Sequence, residues 1–468
     1  WRIGRLSTSA FGVTERSVAD CDGTSAHDLT PAAFTAEGTE SHRSQSDEAK
    51  ATANASAATV DSPAHPVFVF SYLANLSLVT ANASTFVFAD WVSWLSRQSS
   101  SSMTYSEELP GRVIQYGLLA AMTGRMMLGR SIDRFGVRRV WQTMCFLGLC
   151  GVLIFTFQRT LSPWVYAGRI LFATGLAGMF TCGNFHIQSV VDEHRRTEFI
   201  GLVGSSGFVG MILGSQLADF LRWMTNHNPD VFFPTLFRIA LVLVTAHMVL
   251  LSLATRTAAE PLRQQIRPSL IRLTRQYWPG MVTVVSMMMG VVFTVPSVFL
   301  VRFNLHENFG GIAVYWTTYA LAAFTFRVQT AALSQRIGRY RLIFIGLMAQ
   351  GLGLWSLLPV SAWWHLLPSA LLCGLGHALL FPSIVSLGSG RFPPEYRGSG
   401  INLILGCLDL GAAISAPLLG RIIDLPRFDG AGFRPMFFVA GSLPILVAIV
   451  WIVLNHRSED LEMRNPSS

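Results

Sequence analysis

The ionisable side chains singled out inside long apolar runs of this sequence are Arg125, Arg169, His186, His247, Arg327, His377 and Asp409. A charge at membrane depth is costly, so each of these positions is a functional candidate. A guanidinium presents a planar fork of donors that fits a carboxylate, nitrate or phosphate. An isolated carboxylate can carry a proton or neutralise a cation. Arg125 and Arg327 lead the set. Each lies eight residues before a charged stretch at the end of its apolar run, about 12 Å along a helix, which is near mid-membrane. They are expected to face each other across a cavity and to bind an anion, with His186 and His377 as further substrate-binding candidates. Asp409 is either a proton-coupling site or a counter-ion to Arg327, and Arg169 is a second coupling or counter-ion candidate. The competing reading is that each arginine hydrogen-bonds helix backbone or snorkels to the interface.

The elements that must hold these groups are membrane helices. Of 468 residues, 51% are hydrophobic and only 13% charged, about half the charge of an ordinary soluble protein. Twelve apolar segments follow one another, near 67–88, 111–131, 140–158, 163–190, 199–221, 232–254, 279–301, 312–333, 341–359, 363–389, 399–423 and 433–454. Most are long enough to span the hydrocarbon core, where backbone groups must pair within the segment, so each is expected to be a helix. The net charge of +8 comes from arginines in short loops rather than from a nucleic-acid surface. Eighteen arginines fall on the side of the even-to-odd loops and eight on the other, which puts both termini in the cytoplasm by the positive-inside rule. The expected organisation is a disordered cytoplasmic tail (1–64), a six-helix bundle (65–254), a basic linker (255–278), a second six-helix bundle (279–454) and a short tail (455–468). The six cysteines show no paired spacing, so neither a disulfide framework nor a metal site is expected. There is no P-loop and no convergent acid–base set, so no cofactor and no enzyme chemistry are expected. The expected partners are a small-molecule solute, the lipid bilayer and a coupling proton or ion, with the chain acting as a monomer.

The chain repeats itself. Shifted by 202 residues, LAAMTGRMMLGRSIDRFG (119–136) meets LAAFTFRVQTAALSQRIG (321–338) with seven identities in eighteen positions, Arg125 on Arg327, Arg134 on Arg336 and Gly136 on Gly338 among them. A weaker echo, RTEFIGLVGSSGFVG (196–210) on RGSGINLILGCLDLG (397–411), has a shift of 201. Two parallel six-helix halves place a solute path between them. GRSIDRFGVRR (129–139) resembles the signature between the second and third helices of the major facilitator superfamily, through Gly129, Asp133, Arg134, Gly136 and Arg138. Its second copy keeps Arg336 and Gly338, with Gln335 in place of the acid. Gly129, Asp133 and Arg125 share one helix face. Gly129 is expected to let a neighbouring helix approach, Gly136 to permit a turn, and Asp133 to bond a helix N-terminus or an arginine of the other half. Together they read as a cytoplasmic latch. Arg169 and Gly175 resemble the superfamily's fourth-helix arginine motif. The resemblance implies an all-α integral membrane protein, twelve helices in two pseudo-symmetric bundles, and transport by alternating access. It also places helices three, six, nine and twelve away from the cavity, which sets His247 aside.

Two branches are weakly similar. Arginines on helices two and eight, with the glycines Gly201, Gly204, Gly207 and Gly210 of the fifth helix, resemble the nitrate/nitrite porters, although Phe208 stands where those carry asparagine. An arginine on helix eight also resembles the monocarboxylate carriers. The expected cargo is a small organic or inorganic anion. A carrier of a neutral or amphipathic solute, and a non-transporting receptor of the same fold, remain as alternatives.

Overall fold

A computed structural model describes residues 60, 62–99, 106–191, 195–256, 268–393, 396–428 and 431–464, with side chains undescribed at Asp133, 196–198, Val328, 330–336, Arg427 and 456–464. Twelve long helices run through the described residues: α1 (Pro66–Ser99), α2 (Glu108–Phe135), α3 (Val137–Phe157), α4 (Pro163–Val190), α5 (Arg196–Met224), α6 (Pro229–Ala254), α7 (Met281–His306), α8 (Ala313–Ile337), α9 (Arg339–Trp355), α10 (Leu366–Gly390), α11 (Arg397–Ile423) and α12 (Phe433–Arg464). Nine of them are long and apolar enough to cross a membrane. The others are α2 and α8, and α9, which has only 17 residues.

Local sequence sets the helix starts. Proline opens α1, α4 and α6, where its missing N–H would have no helical partner. The His65 ring accepts from the N–H of Val67, and the Asn228 side chain accepts from that of Asp230. Within the linker a seven-residue helix, Leu270–Gln276, is capped by the Ser269 hydroxyl; residues 257–267 of the linker lie outside the described chain. Most of the 1–64 tail also lies outside it, but Val60 is fully buried and donates its N–H to the Val190 carbonyl.

The repeat is visible in the backbone. α2 ends at Phe135, α3 begins at Val137, and Gly136 alone joins them with φ 81° and ψ 152°. Gly338 joins α8 to α9 with φ 86° and ψ 152°. Few residues other than glycine adopt that region. The signature expected to be a loop is therefore the last turns of a helix, with one residue of connector. The pairing also repeats. In the first half α1 packs on α5 and α6, α3 on α4 and α6, and α2 on α4. In the second, α7 packs on α11 and α12, α9 on α10 and α12, and α8 on α10. The halves meet along two long seams, α2 against α11 and α5 against α8, and also where the second part of α1 meets that of α7. With no hydrophobic driving force inside lipid, close backbone approach carries much of this packing. A Cβ on Gly210 or Gly214 would strike the α1 backbone, and one on Gly290 or Gly411 would strike α11 or α7. The corresponding α1 and α7 each lose regular α-geometry midway, at a 3₁₀ turn (Thr85–Val87) and at a π-helical stretch (Val295–Phe299) that holds Pro296.

Candidate functional site

The two ends of the molecule differ. At the end away from the basic connectors, here the far end, the halves are locked together. Asp90 of α1 accepts from Arg222 of α5 at 2.8 Å and from Arg302 of α7 at 2.9 Å. Arg302 also binds Glu107, at the head of α2, at 3.0 Å. Two further carboxylates cap helix starts in the opposite half. Asp219 of α5 accepts from the N–H groups of Ile312 and Ala313 at the start of α8, at 3.1 and 2.7 Å. Asp424, just after α11, accepts from the N–H groups of Glu107 and Glu108 at the start of α2, both at 2.8 Å, and from the Ser106 hydroxyl. The positive end of a helix dipole favours these anions. Phe86, Phe293 and Trp316 also pack across the halves, with Phe86 and Trp316 ring centroids 4.4 Å apart. α2 and α11 touch through glycine on this side: Gly111 lies against the Ala416 carbonyl and Gly420 against that of Glu107.

At the basic end the helices part. A Cβ added at Gly129, Gly201, Gly204, Gly390 or Gly398 would meet nothing within 4 Å. Gly129 thus admits no neighbouring helix here, contrary to the expectation from its spacing, because the partner seam is open at that level. Gly201 and Gly204 likewise border open space. Arg134 lies over the Phe135 ring, and both it and Arg138 are exposed. The side chains of Asp133 and Arg336 lie outside the described set, and with them the expected latch contacts.

Between these ends sit the buried charges. Arg125 does not stand free. Its Nε donates to Asp409 Oδ2 of α11 at 2.8 Å, and one terminal nitrogen donates to the Thr181 hydroxyl and the Ala177 carbonyl of α4. Asp409 is therefore the counter-ion of Arg125, where the sequence suggested Arg327. Both side chains are about nine-tenths buried, at 10% and 13% exposure. Arg327, by contrast, makes no hydrogen bond or ion pair among the described residues. Its guanidinium lies 5.8 Å from the Phe208 centroid of α5 and 5.2 Å from that of Phe381 of α10. His377 stacks on Phe381 and bonds Tyr319 Oη through Nδ1 at 2.6 Å. Phe324 completes the aromatic wall against Phe208.

The repeat relates these two surroundings position by position. α2 and α8 correspond with an offset of 202, which pairs Arg125 with Arg327. α5 and α11 correspond with an offset of 201, which pairs Phe208 with Asp409. The fourth and tenth helices pack on α2 and α8 in the two halves; Arg125 meets Ala177 and Thr181 of α4, and Arg327 meets Phe381 of α10. The arginine of the first half thus meets a carbonyl, a hydroxyl and a carboxylate. The arginine of the second meets two phenyl rings, with Phe208 at the place of Asp409. Rather than facing each other across one gap, the guanidiniums sit in separate seams, α2/α11 and α5/α8.

The other candidates have structural surroundings. His186 is 1% exposed and packs against Trp141 of α3. Trp141 donates to His247 Nε2 at 3.1 Å, so the His247 proton is on Nδ1, which donates to the Ala74 carbonyl at 2.8 Å. Arg169 stacks on Phe88 at 4.7 Å and presses its Cγ where Gly117 lacks a Cβ. Arg238, absent from the sequence candidates, is exposed on α6.

Comparison with known proteins agrees with this architecture. The family model described as Major Facilitator Superfamily matches residues 102–316 and 286–467. The chain belongs to that superfamily. Among its relatives, the class E tetracycline resistance protein of Escherichia coli is 25% identical over 75% of this chain and 88% of its own length. The staphylopine export protein of Staphylococcus aureus is 21% identical over 73% of this chain and 85% of its own. The 3-(3-hydroxy-phenyl)propionate transporter of E. coli is 32% identical, over 25% of this chain and 27% of its own length. Among solved structures, a peptide transporter POT in complex with sulfate superposes with a TM-score of 0.71 at 14% identity, covering 87% of this chain and 98% of that one. The D-xylose–proton symporter superposes with a TM-score of 0.67 at 16% identity, covering 83% and 97%. The chain is therefore an integral membrane protein with a transporter fold.

Proposed function

We propose that this superfamily member is a secondary carrier that works by alternating access and moves small organic anions whose charged group rests on Arg327. The observation that carries this reading is the replacement of an acid by a ring: where the repeat gives Arg125 a carboxylate, it gives Arg327 Phe208. A cation–π contact contributes roughly 0.5–2 kcal/mol, well short of the several kcal/mol that an ion loses on leaving water. A substrate anion supplies the missing charge. Phe208, Phe324, Phe381 and Tyr319 favour an apolar or aromatic body attached to a carboxylate, with His377 as a polar contact. The partial match to a carrier named for an arylpropionate is in keeping with that chemistry. Two relatives that align over most of the chain are named for resistance or export, which favours outward movement. With the basic end in the cytoplasm, the form described is closed outside and open inside. In this reading Asp409 is the coupling group: protonation frees Arg125 and loosens the α2/α11 seam.

Transport in proteoliposomes tests the proposal, using arylpropionates beside their neutral amides. The acids are expected to cross and the amides to fail. Arg327→Ala should lower kcat/KM for the acids by about two orders of magnitude, the scale of one charge-assisted contact of about 3 kcal/mol. Phe208→Asp, which restores the acid that the repeat omits, should abolish anion transport while the protein stays folded. Amide transport equal to that of the acids, or full activity in Phe208→Asp, rejects the anion reading.

A further inference from the structure

The far-end ion network is lopsided. Its contacts run from Arg222 of α5 to Asp90 of α1, from Asp90 to Arg302 of α7, and from Arg302 to Glu107 at the head of α2. Three of these side chains belong to the first half, and Arg302 comes from the second. The two carboxylates depend on Arg302 unequally. Asp90 gives Oδ1 to Arg302 and Oδ2 to Arg222, so an arginine of its own half stays with it when the halves part. Glu107 gives Oε1 to both Nε and Nη2 of Arg302, at 3.1 and 3.0 Å. Its Oε2 is buried without a hydrogen-bond partner among the described residues, and the residue is 3% exposed. The elements packed around it carry other charges. On α2 itself, Glu108 pairs with Arg112 at 2.7 Å. α1 brings Asp90, and Arg97, whose Nε donates to the Ser93 carbonyl. From the α11 side, Asp424 accepts the Glu107 N–H, and Arg421 is exposed. None of these cations pairs with Glu107 among the described residues.

We infer that Glu107 is a gate proton site: it takes a proton from the outer water when the far end opens and gives it back when Arg302 returns, so that acid favours the open form. This rests on the alternating-access reading and adds to it a second titrating group, apart from Asp409. The closed network holds two anions and two cations. Opening withdraws Arg302 and leaves Asp90, Glu107 and Arg222 on the first half, with one negative charge in excess. A carboxylate that loses its cation in a partly dry place is unfavourable. Glu107 is that carboxylate, because Asp90 keeps Arg222. One proton bound to it removes the excess, and none crosses the membrane in this step. In the closed form a proton there would instead cancel the charge that holds Arg302. A ligand that binds one form better shifts the population toward it, and the proton is such a ligand for the open form. Asp219 and Asp424 hold backbone N–H groups at the same end and lose no cation on opening. Their removal shifts the gate without setting its response to acid.

The experiment measures spin-label distances across the far end on the full chain in phosphatidylcholine nanodiscs, at neutral and at mildly acidic pH. The labels go on Trp223→Cys and Trp363→Cys, exposed positions of opposite halves, in a background depleted of native cysteines. Acid should raise the population of a longer distance at least threefold. Glu107→Gln, which carries the neutral form at every pH, should show the longer distance equally at both. Glu107→Asp keeps a titrating group and should restore the response. Asp219→Asn should raise the longer distance at neutral pH and still respond to acid. Arg302→Gln serves if Glu107→Gln fails to fold, and should be open at both pH values. If the longer distance appears but ignores pH in the native chain, or if Glu107→Gln or Arg302→Gln responds to acid as fully as the native chain, the proton site is wrong while alternating access stands. If no pH and no variant yields the longer distance, alternating access and the proton site fall together.

Discussion

Replacing Asp219 or Asp424 by alanine should open the far end by an amount that the geometry sets. Each carboxylate accepts two N–H groups from the first turn of a helix in the other half, at 2.7–3.1 Å for Asp219 and at 2.8 Å for Asp424. A hydrogen bond to a charged acceptor is worth about 1.5–3 kcal/mol net, and the helix-end field adds about 0.3–1 kcal/mol. When the far ends separate, water replaces both partners, so the contact favours only the closed form. With about 2 kcal/mol as the cautious value for one cap, its removal changes the closed-to-open ratio about 30-fold, since about 1.4 kcal/mol is a factor of ten. The two caps bind different helix starts, in different seams. Their effects should therefore add, to about 4 kcal/mol in the double variant. The assay is a pulsed spin-label distance measurement between Trp223→Cys on α5 and Trp363→Cys before α10. The native side chains there are 68% and 53% exposed at the far ends of opposite halves, and the background should be depleted of native cysteines. A longer distance should gain population in each single variant and dominate in the double. If the distribution is unchanged in both singles, or if the double moves no further than one single, the caps are not gate contacts.

The Arg125–Asp409 pair gives an independent test. Arg125→Gln or Asp409→Asn alone should destabilise the protein by about 3–5 kcal/mol by leaving one buried charge unpaired, and the double variant should recover most of that loss; thermal unfolding in a mild detergent reads both, and singles no worse than the double would refute the pairing. Gly136→Ala and Gly338→Ala should each cost about 1–3 kcal/mol from backbone conformation alone, with similar falls in Tm, because the two dihedral pairs are nearly the same. Arg238→Leu, on the exposed face of α6, should leave transport unchanged in the proteoliposome assay.

The helices and the duplication were legible because apolar length and repeat spacing are local properties. Each apolar run centres on one described helix, the run 341–359 overrunning the end of α9 by four residues, and the echo of Gly136 in Gly338 reappears as a shared conformation. Partnership across the seams was not legible. Spacing within α2 tells which residues share a face with Arg125, but not that α11 presents Asp409 to it. The decisive substitution was nonetheless in the text of the chain: the alignment of 196–210 with 397–411 already places Phe208 on Asp409. The far-end gate escaped for another reason. Asp90, Glu107, Arg222, Arg302 and Asp424 lie at the ends of apolar runs, where charges read as topological markers, and Asp219 lies only a few residues inside one. Nothing local distinguishes a solvated helix end from one capped by the opposite half. His186 was placed near the site by its helix, whereas its packing turns it toward Trp141 and the interior of the first half.

The one-residue joints at Gly136 and Gly338 bear on how force travels through the molecule. A connector with no spare length cannot absorb displacement, so α3 must follow the basic end of α2, and α9 that of α8. Each joint works as a crank rather than a tether: it converts the closing of a seam into the tilt of an outer helix. An insertion of even one residue there would introduce backlash, leaving the seam able to close while the outer helix lags behind.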